Sequence, residues 1–237
     1  MKVDVVISAE HIRDKDIEGK TVVVIDILRA TSVIVTALNN GAKEVIPFLT
    51  VEEAKEYTKE NREEFILGGE RRAVKIEGFD FSNSPLEYTE ELVKGKTVVM
   101  TTTNGTRTIK SCEKGKHLLI GAMINAKAVV EKAKTLGEDV VFVNSGTYGE
   151  FSMDDFICAG YMISSLENII DDIELSDIAY TSKHIYESHK DIKSFIEKAR
   201  HYNVIKSLNL LGDLEYCMKK DTSDIVPMVK NGRIALS

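Results

Sequence analysis

Val22-Val23-Val24-Ile25-Asp26-Ile27-Leu28-Arg29-Ala30-Thr31 is the stretch whose reading decides the fold. Its four consecutive β-branched residues read as a strand buried on both faces, the kind found inside a parallel sheet. The strand runs straight into an acid, an arginine and a threonine. A helical pattern of Val33, Ile34, Ala37 and Leu38 follows. In open α/β sheets, ligands sit beyond the carboxyl ends of such strands, where helix N-termini face them. Asp26 and Arg29 are therefore the first candidates for chemistry. The competing role for Asp26 is to cap the helix it precedes.

At 237 residues the chain suits one α/β domain over 1–237. No apolar run is long enough to span a bilayer, so no membrane partner is expected. Asp4 stands where a signal peptide would have its apolar core, and a cytoplasmic protein is expected. Cys112, Cys158 and Cys217 are scattered and give neither a disulfide framework nor a CxxC site. A net charge of −7 argues against nucleic acid as partner while leaving room for a local arginine cluster around a small anion.

Working outward, Lys2–Ser8 reads as a strand, and the helix over 31–40 stops at Asn40-Gly41. Val45–Leu49 is the next strand. Thr50-x-x-Glu53 is a capping box opening a helix to about residue 60. Residues 73–87 look like a long functional loop, closed by a second capping pattern, Ser84-Pro85-Leu86-Glu87. Gly19-Lys20-Thr21-Val22-Val23 recurs as Gly95-Lys96-Thr97-Val98-Val99, and the same order of elements follows each copy. An internal strand-loop-helix duplication over about 19–60 and 95–135 is the reading. The part from about 168 to 220 is charged amphipathic helix, and the chain ends in two runs that can pair around Asn231-Gly232.

Three strand-to-helix corners carry the candidate chemistry. Thr103-Asn104-Gly105-Thr106 offers a glycine, small hydroxyls and free helix amides, a set that favours an anion. Ser145-Gly146-Thr147 offers the same, and Arg29, Arg71, Arg72 and Arg107 add planar forks suited to phosphate or sulfonate oxygens. Asp26, Glu70, Glu150, Asp154 and Asp155 stand at strand ends or helix starts, where hard oxygens suit Mg²⁺. Asp155 also occupies the fourth position of a capping box begun by Ser152. P-loop, GxGxxG and HExxH patterns are absent, which leaves metal-assisted attack by water as the simplest hydrolytic proposal.

Taken together, Asp26–Ser32, Gly68-Gly69-Glu70-Arg71, Gly78–Pro85, Thr101–Thr106 and Ser152-Met153-Asp154-Asp155-Phe156 resemble the 2-phosphosulfolactate phosphatase family, in order over roughly residues 3 to 170. The resemblance implies a three-layer α/β/α fold with a mixed, mostly parallel sheet. It also implies Mg²⁺-dependent hydrolysis of 2-phospho-3-sulfolactate to sulfolactate, a step of coenzyme M synthesis. The family pattern sets a smaller or thiol residue before Gly146, where this chain has Ser145. On that reading Thr103, Asn104, Gly105 and Thr106 hold the phosphate, with Arg29 as clamp. Asp26 and Glu70, with Asp154, hold Mg²⁺, and Asp155 or Glu150 serves as base. Arg71, Arg72, Asn83 and Ser84 take the sulfonate or carboxylate end of a small doubly anionic substrate. A homodimer is the expected assembly. The rival readings are a phosphatase for another small phosphorylated acid and a non-catalytic anion-binding protein.

Overall fold

The computed structural model describes residues 1–236. Thr21–Ile25 (β2) is the strand expected from its β-branched run, and all five of its residues are buried. It lies between two parallel neighbours, His117–Gly121 (β7) and Val140–Asn144 (β8). β8 pairs on its far side with Lys2–Val6 (β1), which in turn meets Glu174–Leu175 (β9). A second parallel set has Thr97–Thr101 (β6) between Glu44–Pro47 (β3) and Phe65–Arg71 (β4), and the short edge Val74–Lys75 (β5) folds back on β4. Pro227–Lys230 (β10) and Arg233–Leu236 (β11) form a hairpin that joins the sets, β10 antiparallel to β7 and β11 antiparallel to β3. The result is one mixed, mostly parallel sheet of eleven strands flanked by helices, the arrangement of a three-layer α/β/α protein.

The sheet order is β5-β4-β6-β3-β11-β10-β7-β2-β8-β1-β9. Read outward from the hairpin, β3, β6 and β4 on one side match β7, β2 and β8 on the other. The two similar segments are thus interleaved: the first strand of each pairs with the second strand of its counterpart. The hairpin turn has Asn231 at φ 52° and Gly232 at φ 74°, the positive values that a two-residue hairpin of this twist needs.

Local signals resolve unevenly. Thr50 and Glu53 form the reciprocal capping box, but its helix ends at Tyr57, short of residue 60. Ser84 and Glu87 do not form one. The Ser84 hydroxyl donates to Asp213 at 2.6 Å, and Glu87 takes the amide and hydroxyl of Ser82. The stretch 73–87 holds β5 and a 3₁₀ turn, and it is anchored by the buried side chains of Ile76 and Phe79.

The helix Ala30–Asn39 is buried from Ala30 through Leu38. Part of its cover comes from the C-terminal third: the hydroxyls of Thr36 and Tyr216 meet at 3.0 Å, and Ser223 donates to Asn39 at 2.8 Å. No helix among the described residues is long and apolar enough to cross a membrane.

Candidate active site

Four strand ends and one late helix line a single cavity. Asp26 and Arg29 follow β2, Glu70 and Ala73 end and follow β4, Thr102, Thr103 and Asn104 follow β6, and Thr147 and Tyr148 follow β8. Asn83 enters from the 73–87 stretch, and His201 enters from the helix Arg200–Ser207. The β2 corner is braced from inside, because Thr31 donates its amide to the Asp26 carbonyl and Asp26 donates its own to the Thr31 hydroxyl. Asp26 Oδ1 accepts from the Ala30 amide at 3.3 Å, whereas Oδ2 takes no hydrogen bond among the described residues. Gly105 permits this closeness: a Cβ there would lie 2.4 Å from Ala30 Cβ and 2.8 Å from Asp26 Oδ2.

Charge in the cavity is lopsided. Arg29 is fully buried, and its guanidinium donates to Asp213 Oδ2 at 2.5 Å and to the Ala73 carbonyl at 3.1 Å. Its charge is thus largely spent on Asp213. Burial pushes the Asp26 carboxyl up to about 6; His201 and the Ala30 amide work against the shift, while Asp154 and Glu70 reinforce it. Asp155 is driven well above the usual carboxylate range, first by burial and then by Asp154 and Asp26. Burial also opposes the charge on Asp154, but contact with His201 outweighs it and holds the carboxyl low. His201 mirrors this: burial disfavours its cation, yet Asp154 and Asp26 raise its pKa above the ordinary imidazole value.

The chain matches the family model for 2-phosphosulpholactate phosphatase over residues 6–232. A relative from Clostridium novyi (strain NT) is 60% identical over 228 residues, 96% of each chain. One from Clostridium botulinum (strain Eklund 17B / Type B) is 59% identical over 235 residues, 99% of each chain. One from Clostridium acetobutylicum is 56% identical over 234 residues, 99% of this chain and 100% of its own. All three carry the name "Probable 2-phosphosulfolactate phosphatase". This chain belongs to that family.

Several residues expected from the sequence meet at the cavity: Asp26, Arg29, Glu70, Asn83, Thr103, Asn104 and Thr147 all line it. Others do not. Arg71 turns to the carbonyls of Glu70 and Leu49 and to the Thr101 hydroxyl, and Arg72 sits in the β4–β5 turn at φ 53°. Glu150 lines a neighbouring groove, with Asp154 and His201, rather than the cavity. Asp155 does not line the cavity, and it forms no capping box with Ser152. It accepts the Ile27 amide at 3.0 Å and the Gly146 amide at 3.1 Å, and so ties the β2 and β8 corners together. That bond also commits Gly146, while Ser145 is buried without a hydrogen-bond partner for its hydroxyl.

The expected phosphate loop is likewise committed. The Thr103 amide donates to Glu70 at 2.6 Å, and Thr106 donates its amide to Thr102. Ser84 serves Asp213. Asp154 turns to the Ser152 hydroxyl and to His201 Nδ1 at 3.1 Å and does not line the cavity, so the expected trio of Asp26, Glu70 and Asp154 does not gather there. Among the described residues no three His, Cys, Asp or Glu side chains gather as a metal-ligand set. Mg²⁺ needs fewer, since it binds through one or two carboxylates and fills its shell with water and substrate oxygen. The free oxygen of Asp26 and the unpartnered buried Oδ1 of Asn83 fit such an ion.

His201 and Asp213 escaped the sequence reading. Both lie in short amphipathic helices of the C-terminal third, with no motif around them. The one available signal was that polar residues stand among the apolar positions of those helices.

Proposed function

We propose that this protein hydrolyses 2-phospho-3-sulfolactate to 3-sulfolactate and phosphate, with Mg²⁺ as its cofactor. The observation that carries the reading is near-full-length identity of 56–60% to relatives named for that reaction. The cavity gives it a physical basis. The substrate brings phosphate, sulfonate and carboxylate into a space already holding Asp26 and Glu70, whose nearest guanidinium is paired with Asp213. Such a substrate needs a further cation there. Asp26 and Asn83, which both line the cavity, would hold Mg²⁺; when bound, that ion would polarise a phosphoryl oxygen as a Lewis acid.

The chain's own residues then orient the ester. Asn104 and Asn83 present side-chain amides and Thr147 a hydroxyl, while Arg29, fixed by Asp213, supplies field at the cavity wall. Glu70 accepts the amides of Thr103 and Ala73 and thereby locks the β4 and β6 corners in register with each other.

The test is phosphate release from 2-phosphosulfolactate beside phospholactate and 3-phosphoglycerate, each with Mg²⁺ and with chelator. Metal-dependent release that favours the sulfonate is expected. Equal release from all three discards the named substrate, and no release by folded protein discards the phosphatase.

A further inference from the structure

The helix Arg200–Ser207 carries one side chain whose placement none of the motifs accounts for. His201 is mostly buried, lines the cavity with Asp26 and Arg29, and sets its Nδ1 3.1 Å from Asp154 Oδ2. Asp154 is itself held by the Ser152 hydroxyl, and Arg200 donates to the Thr147 carbonyl at 2.9 Å, anchoring the start of this helix to the β8 corner. A histidine whose Nδ1 is fixed on a buried carboxylate has its tautomer and ring orientation set, which leaves Nε2 for the cavity. We infer that His201 is the general acid of the reaction, giving its Nε2 proton to the ester oxygen on C2 as phosphate departs, with Asp154 as its positioning residue. This rests on the phosphatase reading above.

The chemistry calls for such a group. The leaving oxygen is a secondary alkoxide, a poor leaving group, and phosphoryl transfer places charge on that oxygen in the transition state. In the step, the P–O bond to C2 breaks and the His201 Nε2–H proton forms an O–H bond on that oxygen. The attacking water forms a new P–O bond and releases its proton to solvent, and His201 is reprotonated from solvent when the products leave. Charged groups around the ring favour holding that proton: Asp154 from the helix Met153–Glu167 touches it, Asp26 lies across the cavity, and Glu70 stands at the β4 end. Arg29, the opposing charge, is paired with Asp213, and Arg200 and Lys198 line the neighbouring groove together with Glu150, Asp154 and His201 itself.

The experiment measures turnover and the bridging-¹⁸O kinetic isotope effect on 2-phosphosulfolactate in the Mg²⁺-loaded enzyme. His201→Gln is expected to lower kcat by about 10²–10⁴-fold, to raise the isotope effect because the alkoxide then leaves unprotonated, and to flatten the alkaline limb of the kcat profile. Asp154→Asn is expected to shift that limb and leave the isotope effect between the two. A loss of turnover with an unchanged isotope effect assigns His201 a purely structural role and overturns the inference. Wild type alone supplies a second arm should the variant fold poorly. Its isotope effect on the pH plateau should be the small one of an oxygen protonated as it leaves, and an effect as large as that of an alkoxide leaving unprotonated overturns the assignment. A wild type that releases no phosphate overturns the phosphatase reading, and this role with it.

Discussion

Asp26 is a buried acid whose ordinary pKa of about 3.9 is raised in the folded chain to about 6. For an acid raised in this way, the folded state holds the proton more tightly than the unfolded one. Stability is therefore lost as pH rises from about 4 to about 6, and the full cost, about 3 kcal/mol, is carried at neutral pH when no cation is bound. Asp26→Asn keeps an acceptor for the Ala30 amide and removes that cost. In chelator at pH 7.5 the variant should melt several degrees above wild type, and the gap should close toward pH 4. Mg²⁺ should raise the wild-type midpoint and leave the variant's unchanged, while phosphate release from the variant is abolished. A variant that melts below wild type would make Asp26 chiefly a structural cap.

At the scale of elements, Leu211–Cys217 holds Arg29 in place from the far end of the chain. Asp213 accepts from Arg29 Nη1 and from the Ser84 hydroxyl, with both partners of the ion pair almost wholly buried. Removing one partner leaves the other charged and dry, so Asp213→Ala should cost about 3–5 kcal/mol in urea unfolding. The double variant Arg29→Met, Asp213→Leu should recover most of that stability and none of the activity, since apolar groups replace the pair without supplying its field. Full activity in the double variant would remove Arg29 from the site. The same element marks where sequence reading stops. The β2 corner is legible because its apolar run and its polar turn are adjacent in the chain. Arg29 and Asp213 are separated by 184 positions, and nothing local in an amphipathic helix distinguishes a site aspartate from a solvated one. Asp155 misled for the opposite reason. Its spacing from Ser152 matches a capping box, but the amides of Ile27 and Gly146 offer a buried carboxylate more than one helix amide does.

Over the whole molecule, the sheet's continuity depends on its last strands. β7 and β3 are each antiparallel to the hairpin strand they meet, and the hairpin strands are antiparallel to each other, so the two parallel sets run in opposite senses. Each set delivers its carboxyl ends to the one cavity, Asp26 and Thr147 from one side, Glu70 and Thr103 from the other. Sequence reading reached the repeat and the hairpin separately, because pentapeptide identity and an Asn-Gly turn are both local. That the hairpin would insert between the two interleaved segments depends on long-range pairing, with Ile234 opposite Val45 and Met228 opposite Leu119. Ile234 has no exposed surface. Ile234→Ala should cost about 2–5 kcal/mol through the cavity it leaves, and that loss should appear as one cooperative transition in far-UV and tyrosine near-UV circular dichroism. Ile234→Asp puts an unpaired carboxylate at the seam and should leave the protein without a cooperative transition at neutral pH. Since the cavity draws on both sets, phosphate release and the far-UV signal should be lost at the same urea concentration in the alanine variant. Activity lost well before the sheet would mean that the two sets part first and that the hairpin is a weak joint; activity surviving Ile234→Asp would mean that the cavity is held together without it.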